Sequence, residues 1–506
     1  MEFINSYAQL DEIFFERTSP VGVENPQLLL WNDSLAERLN LPDNLMQDTD
    51  KLGRIFSGNE MLDGFEPIAL AYAGHQFGNF VPQLGDGRAH LLGELLDRDG
   101  IRRDIQLKGS GRTRFSRQGD GRCALGPALR EYIMGEALYH LGVPTSRSLA
   151  VVATGESVYR ERPLPGAVVT RVASSHIRVG TFEYFAEKGN VDALNMLVDY
   201  TINRHYPHLD IEFPDRNDAE GNYKRVIRFL ESVIEKQIEL VVEWMRIGFI
   251  HGVMNTDNTA VSGETIDFGP CAMMNRYDSN TVFSSIDNQG RYAFGNQPKI
   301  AQWNMVRFAE CLLPVIIGKK EKEKGKSEFL KLIAEFPMRF ENSWMSMLGR
   351  KIGLKKINPQ DAELITNLLA KLTSEQADYT NSMNLLTNLM TQNIQRENFT
   401  PGEMEKVKLD SAGLMDWYTL WQNRLKLENE SAENISSLMR RHNPVVIPRN
   451  HHVEAVIEEF QQTGSSDSAK SFLEVLRHPY IQMEDTSVYQ DSPVDHDSNY
   501  MTFCGT

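Results

Sequence analysis

The stretch HGVMNTDNTAVSGETIDFG, residues 251–269, decides how the rest of the chain is read. A protein-kinase catalytic loop runs H-R-D-x-x-x-x-N and is followed by D-F-G, whose Asp holds Mg²⁺ together with the loop Asn. His251 and Asn258 keep the seven-residue spacing of that loop, and Asp267-Phe268-Gly269 is a literal D-F-G. Two features depart from it. Val253 stands where the catalytic Asp belongs, and Asp267 follows Asn258 by only nine positions. A hard cation takes oxygen ligands, and Asn258 with Asp267 supplies two. D-F-G alone is common by chance, so its weight comes from what precedes it in the chain.

Directly upstream, ESVIEKQIELVVEWMRIGF (231–249) carries Ile234, Ile238, Val241, Val242 and Met245 along one stripe, the pattern of an amphipathic helix running into the loop. Further back, HLLGELL (90–96) and IRRDIQLK (101–108) flank Asp97-Arg98-Asp99-Gly100 and read as a β-hairpin. Alternation puts Ile105 and Leu107 on one face, Gln106 and Lys108 on the other. PALREYIMGEALYHLG (127–142) then reads as a helix, with Pro127 in its first turn and Gly142 at its end. A glycine turn, a hairpin, a strand Lys and a helical Glu therefore follow one another.

Each of these signals has a plain reading beside the functional one. Gly85 and Gly87 in QLGDGRAHLLGE (83–94) would let backbone N–H groups approach a phosphate, or simply make a turn. Lys108 could bridge phosphate oxygens while held by Glu131, although a lone strand Lys is usually solvated. Arg112, Arg114, Arg117, Arg122, Arg171 and Arg178 are dense for an acidic chain. They suit a polyphosphate pocket, or salt bridges to the many acids.

The chain has 506 residues and a net charge of −16, which argues against broad nucleic-acid binding. No apolar run reaches the roughly 18–20 residues of a membrane helix. The N-terminus lacks a basic signal region, so the expected location is the cytoplasm, with no membrane partner. Cys123, Cys271, Cys311 and Cys504 show no CxxC spacing and read as mostly buried thiols. KKEKEKGK (319–326) reads as a solvated loop, TGSSDS (463–468) as a linker, and the acidic final stretch as a tail.

The strings GHQFGNFVPQLGDGRAHLLGE, QLKGSGRTRFSRQGDGR, RVASSHIRVGTFEYF and HGVMNTDN closely resemble the selenoprotein O / YdiU family, over nearly the whole chain from residue 25 to residue 450. The resemblance implies a protein-kinase-like fold that binds ATP in reverse orientation. The γ-phosphate is then buried and AMP passes to Ser, Thr or Tyr hydroxyls of protein substrates; UMP transfer from UTP, favoured by Mn²⁺, is also attributed to bacterial members. Motif by motif, it implies that Gly85, Gly87, Arg88, Lys108, Asp120, Gly121, Arg171, Arg178 and Asp267 hold the nucleotide. Glu131 would pair with Lys108, Asn258 and Asp267 would bind Mg²⁺ or Mn²⁺, and Asp257 would accept the proton. One departure is Arg114, where relatives often have Pro. Eukaryotic members carry selenocysteine near the C-terminus, and Cys504 stands close to that place.

The residues themselves agree with this implication. Val253 cannot accept a proton, so a kinase in the usual pose would lack its base. The arginines make sense if a buried triphosphate tail must be neutralised. The expected architecture is α+β, a protein-kinase-like two-lobed fold with a helical C-terminal extension. Residues 1–185 form its N-lobe, 186–320 its C-lobe, 321–462 the extension, and 463–506 a linker, final segment and tail. The expected state is a monomer. An ordinary phosphotransferase using Asp257 and a non-catalytic ATP-binding scaffold are the rival readings. A reducible Cys271–Cys504 bond between tail and metal-binding loop is a further expectation.

Overall fold

The computed structural model describes residues 3–216, 218–391, 412–493, 497 and 500–502. Between residues 15 and 173, short apolar runs pair into an antiparallel sheet that has eight strands among the described residues. Its path runs β1 (Phe15–Arg17), β3 (Ile68–Leu70), β6 (Ala89–Leu96), β7 (Arg102–Lys108), β10 (Pro163–Ala173), β9 (Arg147–Tyr159), β2 (Gln27–Trp31), with β8 (Cys123–Ala124) on β10. A separate small hairpin joins β4 (Gly74–Gln76) to β5 (Asn79–Val81). The expected hairpin over 90–108 is β6–β7. Its loop closes because Asp97 Oδ1 accepts from the N–H groups of Asp99 and Ile101, and Gly100 takes a φ of 74°.

Alternation along the strands separates two cores. Ile105, Leu107, Val152, Val168 and Val172 face a cluster built on the helix Thr49–Ser57, through Leu52, Ile55 and Phe56. Val151, Ala167 and Val169 face the opposite way, toward the buried helix Leu125–His140 and the large core that continues into the helices beyond. That helix begins two residues before the expected Pro127. The expected helix over 231–249 is longer, Ala219–Ile247. Asp218 caps its start by accepting from Gly221 N–H, and Gly248 at φ 79° ends it.

Residues 319–326 are a correction: they form the opening turns of the helix Lys319–Lys351, not a loop. Lys and Glu are good helix formers, and a solvated helix face looks like a loop by polarity alone. The later helices Asn450–Thr463 and Asp467–Leu476 return to pack on Leu125–His140. Gly464 at φ 70° closes the first of them, so the TGSSDS segment is a short inter-helix turn that runs into the second.

The acidic final stretch differs from a free tail. It contains a 3-10 helix, Glu484–Tyr489. Asp497 Oδ2 accepts from Asn275 Nδ2 at 2.5 Å and from Asn450 Nδ2 at 2.7 Å. Tyr500 bonds Arg130 and Glu454, and the Thr502 hydroxyl donates to Pro270 O at 2.8 Å. Periodicity carries no trace of such docking, because single polar side chains achieve it. Cys123, Cys271 and Cys311 are buried free thiols; Cys504 lies outside the described residues. Asp497→Ala removes a buried acceptor shared by two amides, each bond to a charged group being worth about 1.5–3 kcal/mol. The thermal midpoint of the variant is expected to fall by several degrees in calorimetry, and an unchanged midpoint would contradict the docking.

Candidate active site

The register of β7 and β10 brings the first charged residues together. Arg171 lies opposite Gln106, and Val169 opposite Lys108. The pleat therefore turns Lys108, Gln106 and Arg171 to the face covered by the helix Leu125–His140. That helix supplies Glu131. Lys108 Nζ donates to Glu131 Oε2 at 2.7 Å, and Arg171 bonds the same carboxylate through Nε and an η nitrogen. All three residues are buried. Burial alone would push the Glu131 carboxyl up, but Arg171 and Lys108 outweigh it and hold the group at about 2.

The fourth member comes from the loop after the helix Ala219–Ile247. A two-stranded ribbon, β11 (Phe249–Ile250) on β12 (Ala272–Met273), closes residues 251–271 into a loop. Inside it, His251 Nε2 meets Ile266 O at 2.9 Å, and Asn258 Nδ2 donates to Val253 O at 3.1 Å. Asp267 adopts φ 62°, and its Oδ1 accepts from Lys108 Nζ at 3.0 Å and from Arg171 at 3.1 Å. Burial works against its charge, yet Lys108, Arg171 and Arg88 hold its carboxyl well below the usual range. The Asp267 side chain remains 29% exposed.

These oxygens suit a hard divalent cation that also takes phosphate oxygens. Both Asp267 bonds fall on Oδ1, and Asn258 is fixed through its amide nitrogen, which leaves a carboxylate oxygen and an amide oxygen as donors. Among the described residues, no group of three or more His, Cys, Asp or Glu side chains could hold a metal by itself.

The other expected nucleotide residues fall into distinct places. Arg178 is buried over the Tyr72 ring at 4.3 Å, with Asp86 Oδ1 3.6 Å from one of its nitrogens. Asp86 in turn accepts from Gln106 Nε2 and Leu70 N–H. Gly85 and Gly87 serve a close approach within the protein: a Cβ at Gly85 would lie 2.3 Å from the Phe115 ring, and one at Gly87 2.8 Å from Phe115 O. Gly121, at φ 72°, packs on Gly111 in the same way. Arg88 accepts the Gly109 N–H through its carbonyl. Asp120 is exposed, pairs with Arg160 and accepts from Arg122 N–H, away from the Lys108 network. The arginine cluster divides accordingly. Arg171 and Arg178 are buried, Arg112, Arg114 and Arg117 are exposed, and Arg122 bonds the carbonyls of Val21 and Gly22.

Asp257 stands apart from the ion-pair network. It is 8% exposed, its Oδ1 has no hydrogen-bond partner, and its Oδ2 accepts from Gln76 Nε2 at 3.3 Å. Burial pushes its carboxyl up to about 7, against the Gln76 bond. Gln76, Asp86, Tyr72 and the His75–Glu183–Thr256 cluster were not singled out by sequence reasoning. Gln76 and Asp86 lie inside the recognised string GHQFGNFVPQLGDGR, but nothing in spacing ties residue 76 to residue 257.

Known proteins resemble this chain along its whole length. The sequence profile described as "Protein adenylyltransferase SelO" matches residues 1–477. A "Protein nucleotidyltransferase YdiU" of Teredinibacter turnerae is 50% identical over 507 residues, covering 100% of both chains. Proteins of the same description from Geobacillus kaustophilus and Rhodopseudomonas palustris are each 48% identical, covering 100% of this chain and 99% of theirs. Among the described residues, no helix is long and apolar enough to cross a membrane.

Glu131 is the residue whose loss the network tolerates least, because Glu131→Gln leaves two buried cations sharing the single carboxylate of Asp267. Removing one partner of a buried pair costs about 3–5 kcal/mol, whereas Lys108→Ala leaves Glu131 paired with Arg171 and should cost less. A carboxyl depressed on folding stabilises above its unfolded value of 4.5 and loses that contribution as pH falls toward about 2. The stability gap between wild type and Glu131→Gln is therefore expected to be full at neutral pH and to narrow below pH 4.5. Urea unfolding across that range measures it, and equal stability at neutral pH would refute the network.

Proposed function

The chain belongs to the SelO family of protein adenylyltransferases, and from that premise we propose that it transfers AMP from ATP, or UMP from UTP, to Ser, Thr or Tyr hydroxyls of proteins and releases pyrophosphate. The fold proposed for it is protein-kinase-like: an N-lobe over residues 1–185, a C-lobe over 186–320, a helical extension over 321–462, and a final segment over 463–506. The sheet between residues 15 and 173 and the helices after it support that division.

The observation that carries the reading is the joint hold of Lys108 and Arg171 on both Glu131 and Asp267. Two cations face two carboxylates, so the site is balanced before nucleotide binds. Lys108 keeps a third ammonium hydrogen for a phosphate oxygen. Arg178, whose Nε and one η nitrogen lack hydrogen-bond partners, can also meet a phosphate. Arg88 adds charge close to Asp267. Gly85, Gly87, Asp120 and Gly121 complete the proposed nucleotide site through the backbone of their turns. Asn258 and Asp267 would hold Mg²⁺ or Mn²⁺, which would polarise the phosphate oxygens.

Val253 offers no base for a γ-phosphate pose. Asp257 does, for a hydroxyl placed differently. The acceptor oxygen bonds the α-phosphorus, the bond from that phosphorus to the pyrophosphate oxygen breaks, and the hydroxyl proton passes to Asp257. Buried arginines that neutralise the β,γ-diphosphate stabilise the leaving group where charge develops.

ATP labelled at the α or the γ position separates this reading from its rivals. Protein incubated with divalent metal should retain only the α label, and intact mass should rise by one adenylate per modified hydroxyl. Retention of the γ label would mean a kinase, and no transfer to any acceptor would mean a scaffold. Asp267→Ala should abolish transfer, and Lys108→Ala should lower it roughly 10²–10³-fold. Near-normal rates in either variant, with an unchanged melting temperature, would remove these residues from the site.

A further inference from the structure

The β4–β5 hairpin lies on the loop that carries Asp257, and three consecutive hairpin residues bond three consecutive loop residues. His75 N–H donates to Thr256 Oγ1 at 2.7 Å, Gln76 Nε2 to Asp257 Oδ2 at 3.3 Å, and Phe77 N–H to Asn255 Oδ1 at 3.0 Å. Around these bonds, Glu183 ties hairpin to loop by meeting both His75 Nδ1 and the Thr256 hydroxyl. The Tyr292 hydroxyl donates to Asn255 and its ring packs on Phe77.

The hairpin tip has a backbone that only a tight tertiary fit would keep. Register pairs Gln76 with Asn79, leaving Phe77 and Gly78 as a two-residue turn, both at positive φ, 51° and 84°. That is the turn whose twist suits a hairpin. A bulky side chain at positive φ is costly, and the bond to Asn255 and the contact with Tyr292 hold it there.

Gly74 has a spatial role. A Cβ on it would lie 2.4 Å from Asp257 Oδ1, so the missing side chain makes the slot that this oxygen fills. Gly180 allows a close approach of its own, where a Cβ would stand 2.2 Å from Ala73 O and 3.2 Å from Asp257 Cα. The Asp257 carboxylate is thus seated by Oδ1 in a slot and pinned at Oδ2 by one donor, Gln76.

We propose that Gln76 is the positioning residue for Asp257, fixing the direction of the oxygen that meets the acceptor hydroxyl, with Gly74 as the slot that makes this seating possible. The inference rests on Asp257 as proton acceptor in the transfer proposed above. With one lone pair of Oδ2 bonded to Gln76, the carboxylate cannot turn about its last torsion, and its remaining lone pair keeps one aim. Without that bond, the carboxylate can rotate away while nucleotide binding, which Lys108, Arg171 and Arg178 govern, is untouched.

The test compares wild type with Gln76→Leu, Gln76→Asn, Gly74→Ala and the exposed cross-strand control Asn79→Ala. Each is assayed with α-labelled ATP and Mn²⁺, reading label on the enzyme itself and on casein. Gln76→Leu should lower kcat roughly ten- to a hundred-fold, the scale of a catalytic group misplaced by about 1 Å. KM for ATP and melting temperature should not change. Gln76→Asn, which keeps the donor one methylene short, should recover part of the rate. Gly74→Ala should lose at least as much as Gln76→Leu, and Asn79→Ala should behave as wild type. An unchanged kcat in Gln76→Leu, a loss expressed in KM, or equal losses in the Leu and Asn variants with lowered melting temperatures would overturn the positioning role. Failure of wild type to transfer the α label would overturn the transfer reading instead.

Discussion

Four charges gathered at one point, three of them buried, constrain most of this structure. Lys108, Glu131, Arg171 and Asp267 come from two strands, one helix and one loop, and each is tolerable only because the other three are present. Taking a single ion out of water costs several kcal/mol even after relaxation. The register that sets Arg171 opposite Gln106, the helix that brings Glu131 over the sheet, and the ribbon that closes residues 251–271 therefore depend on one another in the folded state. The helices Asn450–Thr463 and Asp467–Leu476 pack on the Glu131 helix from outside, which links the far end of the chain to the same point.

The parts of this arrangement legible in the sequence are those with a local cause. The β6–β7 hairpin announced itself by alternation and by Asp97-Arg98-Asp99-Gly100, and its alternation correctly separated Lys108 from Ile105 and Leu107. The spacing of His251, Asn258 and Asp267 marked the loop because it repeats, within one short stretch, the order of a kinase catalytic loop and D-F-G. What was not legible has a tertiary cause. Gly85 and Gly87 looked like a phosphate turn, but their immediate steric reason is the ring and carbonyl of Phe115, some thirty residues on. Gln76 lies in a recognisable string, yet only the folded hairpin brings it to Asp257. The Lys-rich opening of the helix Lys319–Lys351 was misread because polarity reports solvent exposure and says nothing about backbone conformation.

Three of the seven non-glycine residues with positive φ among the described residues belong to the segments around the site. Phe77, Arg117 and Asp267 all have positive φ without being glycine, and they lie in the hairpin over Asp257, the loop beside the glycine turn and the loop 251–271. Such conformations cost about 1–3 kcal/mol each and persist only where the surroundings over-determine them. For Asp267 the surroundings are two cations; for Phe77 they are Asn255 and Tyr292. Neither fixation needs a ligand. The charged pocket and the seat of Asp257 are therefore set by the fold itself, so little ordering of these side chains has to accompany nucleotide binding.

That preorganisation also explains how an acidic protein can hold a triphosphate. The long-range field of a chain with net charge −16 opposes an anion, but Lys108, Arg171 and Arg178 are buried and their effect is local and poorly screened. Glu131 holds two of these cations in place, with both of its own oxygens engaged by them. Asp267 differs in having an open side. In the proposed transfer it is therefore the member of the network that solvent, and with it a cation, can reach without the other three being uncovered.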